Sequence, residues 1–112
     1  MPEDDPRDVF AVLDDDYARG ILRATHSTAM SAPQLAEALD ASRPTIYRRI
    51  DRLQALDLLS ESTQMDAEGH HRSVYRSRLE EVVVTPDESG FTVSVARGEH
   101  PADRLTTMWE EL

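Results

Sequence analysis

Arg43, Thr45, Tyr47, Arg48, Arg49 and Arg52 put four guanidiniums and two hydroxyls into ten residues. Guanidinium forks match phosphate oxygens or the O6/N7 edge of guanine, and hydroxyls add shorter polar contacts. Ile46, Ile50 and Leu53 interleave with them at i, i+4 and i+7, the stripe of a helix buried along one side. A helix anchored by that stripe, with arginines clustered in its first half, fits the DNA major groove. Residues 43–56 are therefore expected to form a recognition helix. Taken alone, they also fit a solvated amphipathic helix with incidental arginines.

The neighbouring segments supply what such a helix needs for positioning. Ser31 and Gln34 have capping-box spacing, Pro33 sits in the first turn, and Leu35, Ala36 and Leu39 mark an apolar face. Asp40-Ala41-Ser42 then turns the chain, with Ser42 as the next N-cap. Past the second helix, 58–63 reads as a strand, 66–71 as a polar loop and 72–77 as a returning strand with Arg72 and Arg76. Helix, turn, helix and a hairpin with a basic return strand predict a winged helix, its wing spanning about residues 60–77. His70 and His71 at the wing tip are expected to touch phosphate or the minor groove alongside Arg72 and Arg76.

The run Ser42-Arg43-Pro44-Thr45-Ile46-Tyr47-Arg48-Arg49-Ile50, with Leu53 and Leu58-Leu59, resembles the recognition helix of ArsR-type winged-helix repressors. Leu13 to Leu22, with its acidic break, is similar to that family's opening segment. The resemblance covers roughly residues 8–78 and implies a winged-helix fold and DNA binding. It implies that Arg43, Pro44, Tyr47 and Arg48 face the groove while Ile46, Ile50 and Leu53 stay in the core. Members often sense metals through cysteine clusters; this chain has no cysteine, which removes that thiolate chemistry and any disulfide.

The net charge of −10 is unusual for a DNA binder, but it is unevenly spread. Residues 42–78 hold seven arginines against five acids, a balance of +2, and the remainder stands at −12. All twelve basic residues are arginine. An acidic chain without lysine is similar to proteins of salt-in halophilic archaea; an acidic protein from a GC-rich genome is the plainer alternative. At 1 M salt the Debye length is about 3 Å, so DNA affinity there would rest on close contacts and shape.

The 112 residues suffice for one domain with a modest core, and no apolar run is long enough to span a membrane. A soluble, cytoplasmic protein is expected. Residues 1–8 read as a disordered acidic tail, 9–78 as the winged helix-turn-helix, and 79–112 as an appended hairpin and C-terminal helix in the same domain. Phe10, Leu13, Tyr17, Ile21 and Ala24 step as one apolar stripe through one or two helices, with Asp15 or Asp16 suited to start the second. Residues 79–85 and the alternating Phe91, Val93 and Val95 form the second hairpin around a turn at 86–90.

Near the C-terminus, Leu105, Met108, Trp109 and Leu112 fall at i, i+3, i+4 and i+7. This stripe could close the core or pair with another subunit. Small winged-helix repressors read two half-sites as a two-fold dimer, so Phe10, Leu105, Met108, Trp109 and Leu112 are expected at a homodimer seam.

The expected fold is mainly α with a small β component: a winged helix-turn-helix, an appended hairpin, and terminal dimerisation helices. The expected function is sequence-specific regulation of transcription on double-stranded DNA, without cofactor or metal. Arg43 and Arg48 are the expected guanine readers; Arg49 and Arg52 hold phosphate or intramolecular carboxylates. No serine has a nucleophile-elbow context and no paired carboxylates stand out, so an enzyme is not expected. A protein-interaction adaptor is the main alternative, and a sensor with its pocket under the second hairpin a weaker one.

Overall fold

Asp15 divides the first apolar stretch into two helices. Its backbone N–H closes α1 (Pro6–Asp14), and its carboxylate accepts from the Ala18 N–H at 2.8 Å to cap α2 (Asp16–Ala24). The break resets the helical phase, so of the continuous stripe expected from Phe10 to Ala24 only Ile21 is fully buried, with Leu13 and Ala24 half-buried. Val9 and Val12 of α1 and Ala18, Ile21 and Leu22 of α2 face inward, whereas Phe10 and Tyr17 are partly exposed. α1 also begins inside the stretch expected to be a tail, capped by Asp5 with Pro6 at its first position. The computed structural model describes residues 4–98. Leu105, Met108, Trp109 and Leu112 therefore lie outside the described residues.

The helix-turn-helix forms as its sequence predicts. α3 (Ala32–Ala38) starts with a complete capping box: the Gln34 N–H donates to Ser31 Oγ, and the Ser31 N–H donates to Gln34 Oε1. α4 (Arg43–Ala55) starts at Ser42, whose Oγ accepts from the Thr45 N–H. Both helices stop the same way. Asp40 and Asp57 take left-handed φ values of 51° and 57°. The following N–H groups reach back five residues, Ala41 to Ala36 O and Leu58 to Leu53 O. These are Schellman stops with aspartate where glycine is usual.

β1 (Leu59–Met65) and β2 (His71–Ser77) pair antiparallel as the wing, with Leu59 opposite Ser77 and Met65 opposite His71. A third segment joins them: Met30, between α2 and α3, bridges Tyr75 through two backbone bonds of 3.0 and 2.8 Å. One core cluster sits beneath, with Ile21, Leu35, Ile46, Ile50, Leu53 and Leu58 its most buried large side chains.

The second hairpin is longer than its sequence signals indicate. β3 (Leu79–Asp87) and β4 (Gly90–Arg97) pair down to Asp87 opposite Gly90, leaving Glu88 and Ser89 as the turn. Asp87 Oδ1 accepts from the Ser89 N–H, and Gly90 takes a φ of 135° that favours glycine. Two arginines key its base to the end of α4. Arg97 donates to Leu56 O at 2.7 Å and ion-pairs Asp4 at 2.7 Å through the same Nη2. Arg78 donates to Gly98 O and ion-pairs Asp57. Cations at a helix C-terminus satisfy free carbonyls and oppose the helix dipole. The whole is an α+β winged helix-turn-helix.

Candidate nucleic-acid interface

Burial of Ile46, Ile50 and Leu53 orients every other side chain of α4. At about 100° per residue, Pro44, Arg48, Asp51 and Ala55 fall on the ridge opposite the core; all four are exposed. Arg43 and Tyr47 lie on the flank towards α3 and β2. Arg49, Arg52 and Thr45 lie on the other flank, towards α2.

Those flanks have different chemistry. Arg43 and Tyr47 line an open cleft of about 750 Å³ with Ser31 and Gln34 of the α3 cap and Arg72 and Tyr75 of the wing. Burial pushes the Tyr75 phenol above its usual range, and the nearby Glu61 carboxylate adds to the shift. On the opposite flank, Arg49 Nε donates to Asp15 Oδ2 at 2.9 Å, with the two side chains only 22% and 17% exposed. The Arg49 guanidinium also stacks 5.9 Å from the Tyr17 ring centroid. Burial alone would raise the Asp15 carboxyl. The Ala18 amide, the Arg49 bond and the charges of Arg49 and Arg52 together hold it below the usual carboxylate range. Of the two roles expected for Arg49, the structure places it on an intramolecular carboxylate.

Ion pairing sorts the arginines. Among the described residues, Arg7, Arg19, Arg49, Arg78 and Arg97 pair with Asp5, Asp16, Asp15, Asp57 and Asp4. Arg43, Arg48, Arg52, Arg72 and Arg76, all on α4 or β2, have no carboxylate of the described residues within 4.0 Å; Arg23 is the sixth such arginine among them. Arg48 Nη2 reaches Thr45 Oγ1 at 3.5 Å, and Arg72 donates twice to Gln64 Oε1, at 3.3 and 3.0 Å. These are neutral partners that leave the positive charge uncompensated. The sequence balance of +2 had counted Arg49 and Arg78 towards this surface; both are spent inside the fold.

The wing tip is held by its own acidic loop. Asp66 Oδ1 accepts from the Glu68 and His70 N–H groups, each at 2.9 Å, which closes the loop. His70 Nδ1 lies 3.5 Å from Asp66 and 3.6 Å from Glu68, so its imidazole faces carboxylates of its own loop. His71 begins β2 and is exposed. Among the described residues no three metal-capable side chains form a metal-binding group.

Sequence reasoning left Ser31 and Gln34 as cap residues and read nothing into Arg97 or Asp4. The capping-box spacing marks the helix end but not the wing that faces it. Nothing in the sequence signals a pairing across 93 positions.

The helices, their turn and the two-stranded wing define a winged helix-turn-helix. Residues 13–61 match the family model for a helix-turn-helix domain, from the end of α1 to the start of β1. No curated protein matches the chain. The helix-turn-helix match supports DNA binding and a regulatory role in transcription. Among the described residues no helix is long and apolar enough to cross a membrane.

Proposed function

We propose that this protein is a sequence-specific, DNA-binding regulator of transcription, cytoplasmic and dimeric, with α4 entering the major groove. One observation carries the reading. Among the described residues, the five arginines on α4 and β2 without carboxylate partners lie on the helix-turn-helix and its wing, whereas Arg49, Arg78 and Arg97 tie separate segments of the scaffold together through their ion pairs. In a chain of net charge −10, such a group is the surface fitted to a polyanion.

Within that reading the arginines divide their work. Arg48, on the outer ridge beside Pro44, reads a base edge. Arg43, expected from sequence as a second guanine reader, lines the cleft opposite Arg72. That position suits a phosphate passing between helix and wing, with Tyr47 adding a hydroxyl contact there and Thr45 one on the opposite flank. Arg52 and Arg76 hold flanking phosphates, and His71 steadies the wing on the backbone. The dimer places two recognition helices on successive half-sites about one DNA turn apart. Phe10, Leu105, Met108, Trp109 and Leu112 contribute to its seam. The ArsR-like resemblance and the lysine-free acidic surface fit a repressor working in concentrated salt.

Fluorescence anisotropy tests this with two duplexes, one selected from a random pool by the protein and one scrambled, across about 0.2 to 3 M KCl. Selective binding that survives molar salt is expected. A folded protein that binds neither duplex at any salt would sink the reading in favour of a protein-interaction adaptor.

A further inference from the structure

Asp51 is the single acid of α4, and it stands on the ridge opposite the core with Pro44, Arg48 and Ala55. It is exposed, and no arginine or histidine of the described residues comes within 4.0 Å of its carboxylate. Arg48, Arg49 and Arg52 all lie within one turn of it. Arg49 is held by Asp15 on the far flank. Arg48, on the same ridge, reaches back along the helix to Thr45 Oγ1 rather than forward to Asp51. Arg52 projects about 100° around the helix from Asp51, towards α2. On the wing side, Asp51 is near enough to the Tyr75 phenol to add to the upward push that burial and Glu61 give that group. The ridge therefore presents an uncompensated guanidinium and, three residues on, an uncompensated carboxylate.

A carboxylate is costly on a face that meets DNA. Phosphates repel it, and once ionised it can only accept hydrogen bonds. The donors of the major groove are the N4 amino group of cytosine and the N6 amino group of adenine. Guanine O6 and N7 and thymine O4 are acceptors, which a guanidinium welcomes and a carboxylate rejects. Arg48 and Asp51 are thus opposite in what they refuse. Their spacing fits neighbouring bases: three helical residues rise about 4.5 Å, against about 3.4 Å between stacked base pairs. At 1 M salt the repulsion from more distant phosphates is screened within about 3 Å, so the contact itself decides the preference.

We infer that Asp51 is a specificity-determining residue, accepting from the amino group of a cytosine or adenine beside the base that Arg48 reads. The inference deepens the DNA-binding reading above and rests on α4 entering the major groove.

The test is binding of the full chain, in molar KCl, to the selected duplex and to versions with each base pair replaced in turn by the other three. Beside the position whose preference Arg48→Ala removes, the wild type is expected to favour cytosine or adenine by about five-fold or more. Its ranking of the two identifies the amino group. Asp51→Ala is expected to lose that one preference, keep the others, and bind scrambled DNA at least as tightly as the wild type. Asp51→Asn, equal in shape but able to donate, is expected to admit guanine or thymine there. Thermal melting of both variants should match the wild type, because the position is exposed. An Asp51→Ala profile identical to the wild type at every position would overturn the inference while leaving the DNA-binding reading intact. A uniform loss across all positions would also overturn it, making Asp51 a support for α4. A wild type that binds no duplex, or binds without base preference, would overturn both.

Discussion

Arg49 Nε donates to Asp15 Oδ2 at 2.9 Å, tying the middle of α4 to the residue that ends α1 and caps α2. The bond crosses 34 positions of sequence and is mostly shielded from water. Through it, α4 is joined to the acidic break in the first helical stretch, beside the core contacts of Ile46, Ile50 and Leu53. Tyr17, stacked under the same guanidinium, adds a second constraint.

Arg49→Ala should therefore destabilise the fold, leaving Asp15 partly buried without its counter-ion, by about 1–3 kcal/mol. Urea unfolding measures this. Once the protein is folded, the salt dependence of DNA binding should match the wild type. A loss of salt slope with unchanged stability would instead make Arg49 a phosphate contact.

The same pair sets an acid limit. Asp15 is held below its ordinary value of 3.8, so the folded state binds a proton at this site less readily than the unfolded chain. The resulting stabilisation is fully present above the ordinary carboxylate range and is lost as pH falls through the lowered folded value. Asp15→Asn should flatten that part of the stability profile below about pH 4 relative to wild type. Unfolding midpoints at stepped pH test it, and identical acid limbs would contradict it.

Arg97→Ala should unhook the second hairpin from α4, freeing the Leu56 carbonyl and the Asp4 carboxylate together. A loss of about 1–3 kcal/mol is expected. Faster hydrogen exchange should be concentrated in β3 and β4, with the amides of α3 protected as in the wild type.

Asp40 is exposed and takes a positive φ that glycine adopts without strain. Asp40→Gly should raise stability by up to about 1 kcal/mol, since the Schellman stop keeps its backbone bonds. Thermal melting decides this; a lowered midpoint would mean that the Asp40 side chain does more than tolerate the turn.

Arg43→Ala and Arg72→Ala probe the cleft between helix and wing. If both hold phosphate, each weakens selected and scrambled duplexes by the same factor and lowers the salt slope by about one. A loss confined to the selected duplex would return Arg43 to the base-reading role expected from sequence.

Much of this architecture was legible because its signals are local. Ser31 with Gln34, Ser42, and the Ile46-Ile50-Leu53 spacing each specify a cap or a buried stripe within one or two helical turns. The wing was legible from alternation around a polar loop. Tertiary pairings were not. The sequence shows twelve arginines but not which are neutralised, and that depends on Asp4, Asp15 and Asp57 arriving from distant segments. The helical phase also failed at Asp15. The acidic run suggests a break, but a three-to-four spacing carried through it cannot give the new rotation, so the stripe through Phe10 and Tyr17 misses Val9 and Val12, which are the buried residues. The folded-back wing loop was equally illegible: the Asp66 carboxylate that closes it also lies beside His70, a placement no local spacing signals.

The most direct test of the central claim is the effect of Arg48→Ala on affinity for the selected duplex and for scrambled DNA, measured side by side in molar KCl. Arg48 is exposed on the outer ridge and has no carboxylate partner among the described residues, so removing it should leave stability nearly unchanged. The account predicts a loss of about 1–3 kcal/mol on the selected duplex and little change on scrambled DNA. Unchanged binding to both duplexes by the folded variant would contradict a base-reading role for this face of α4.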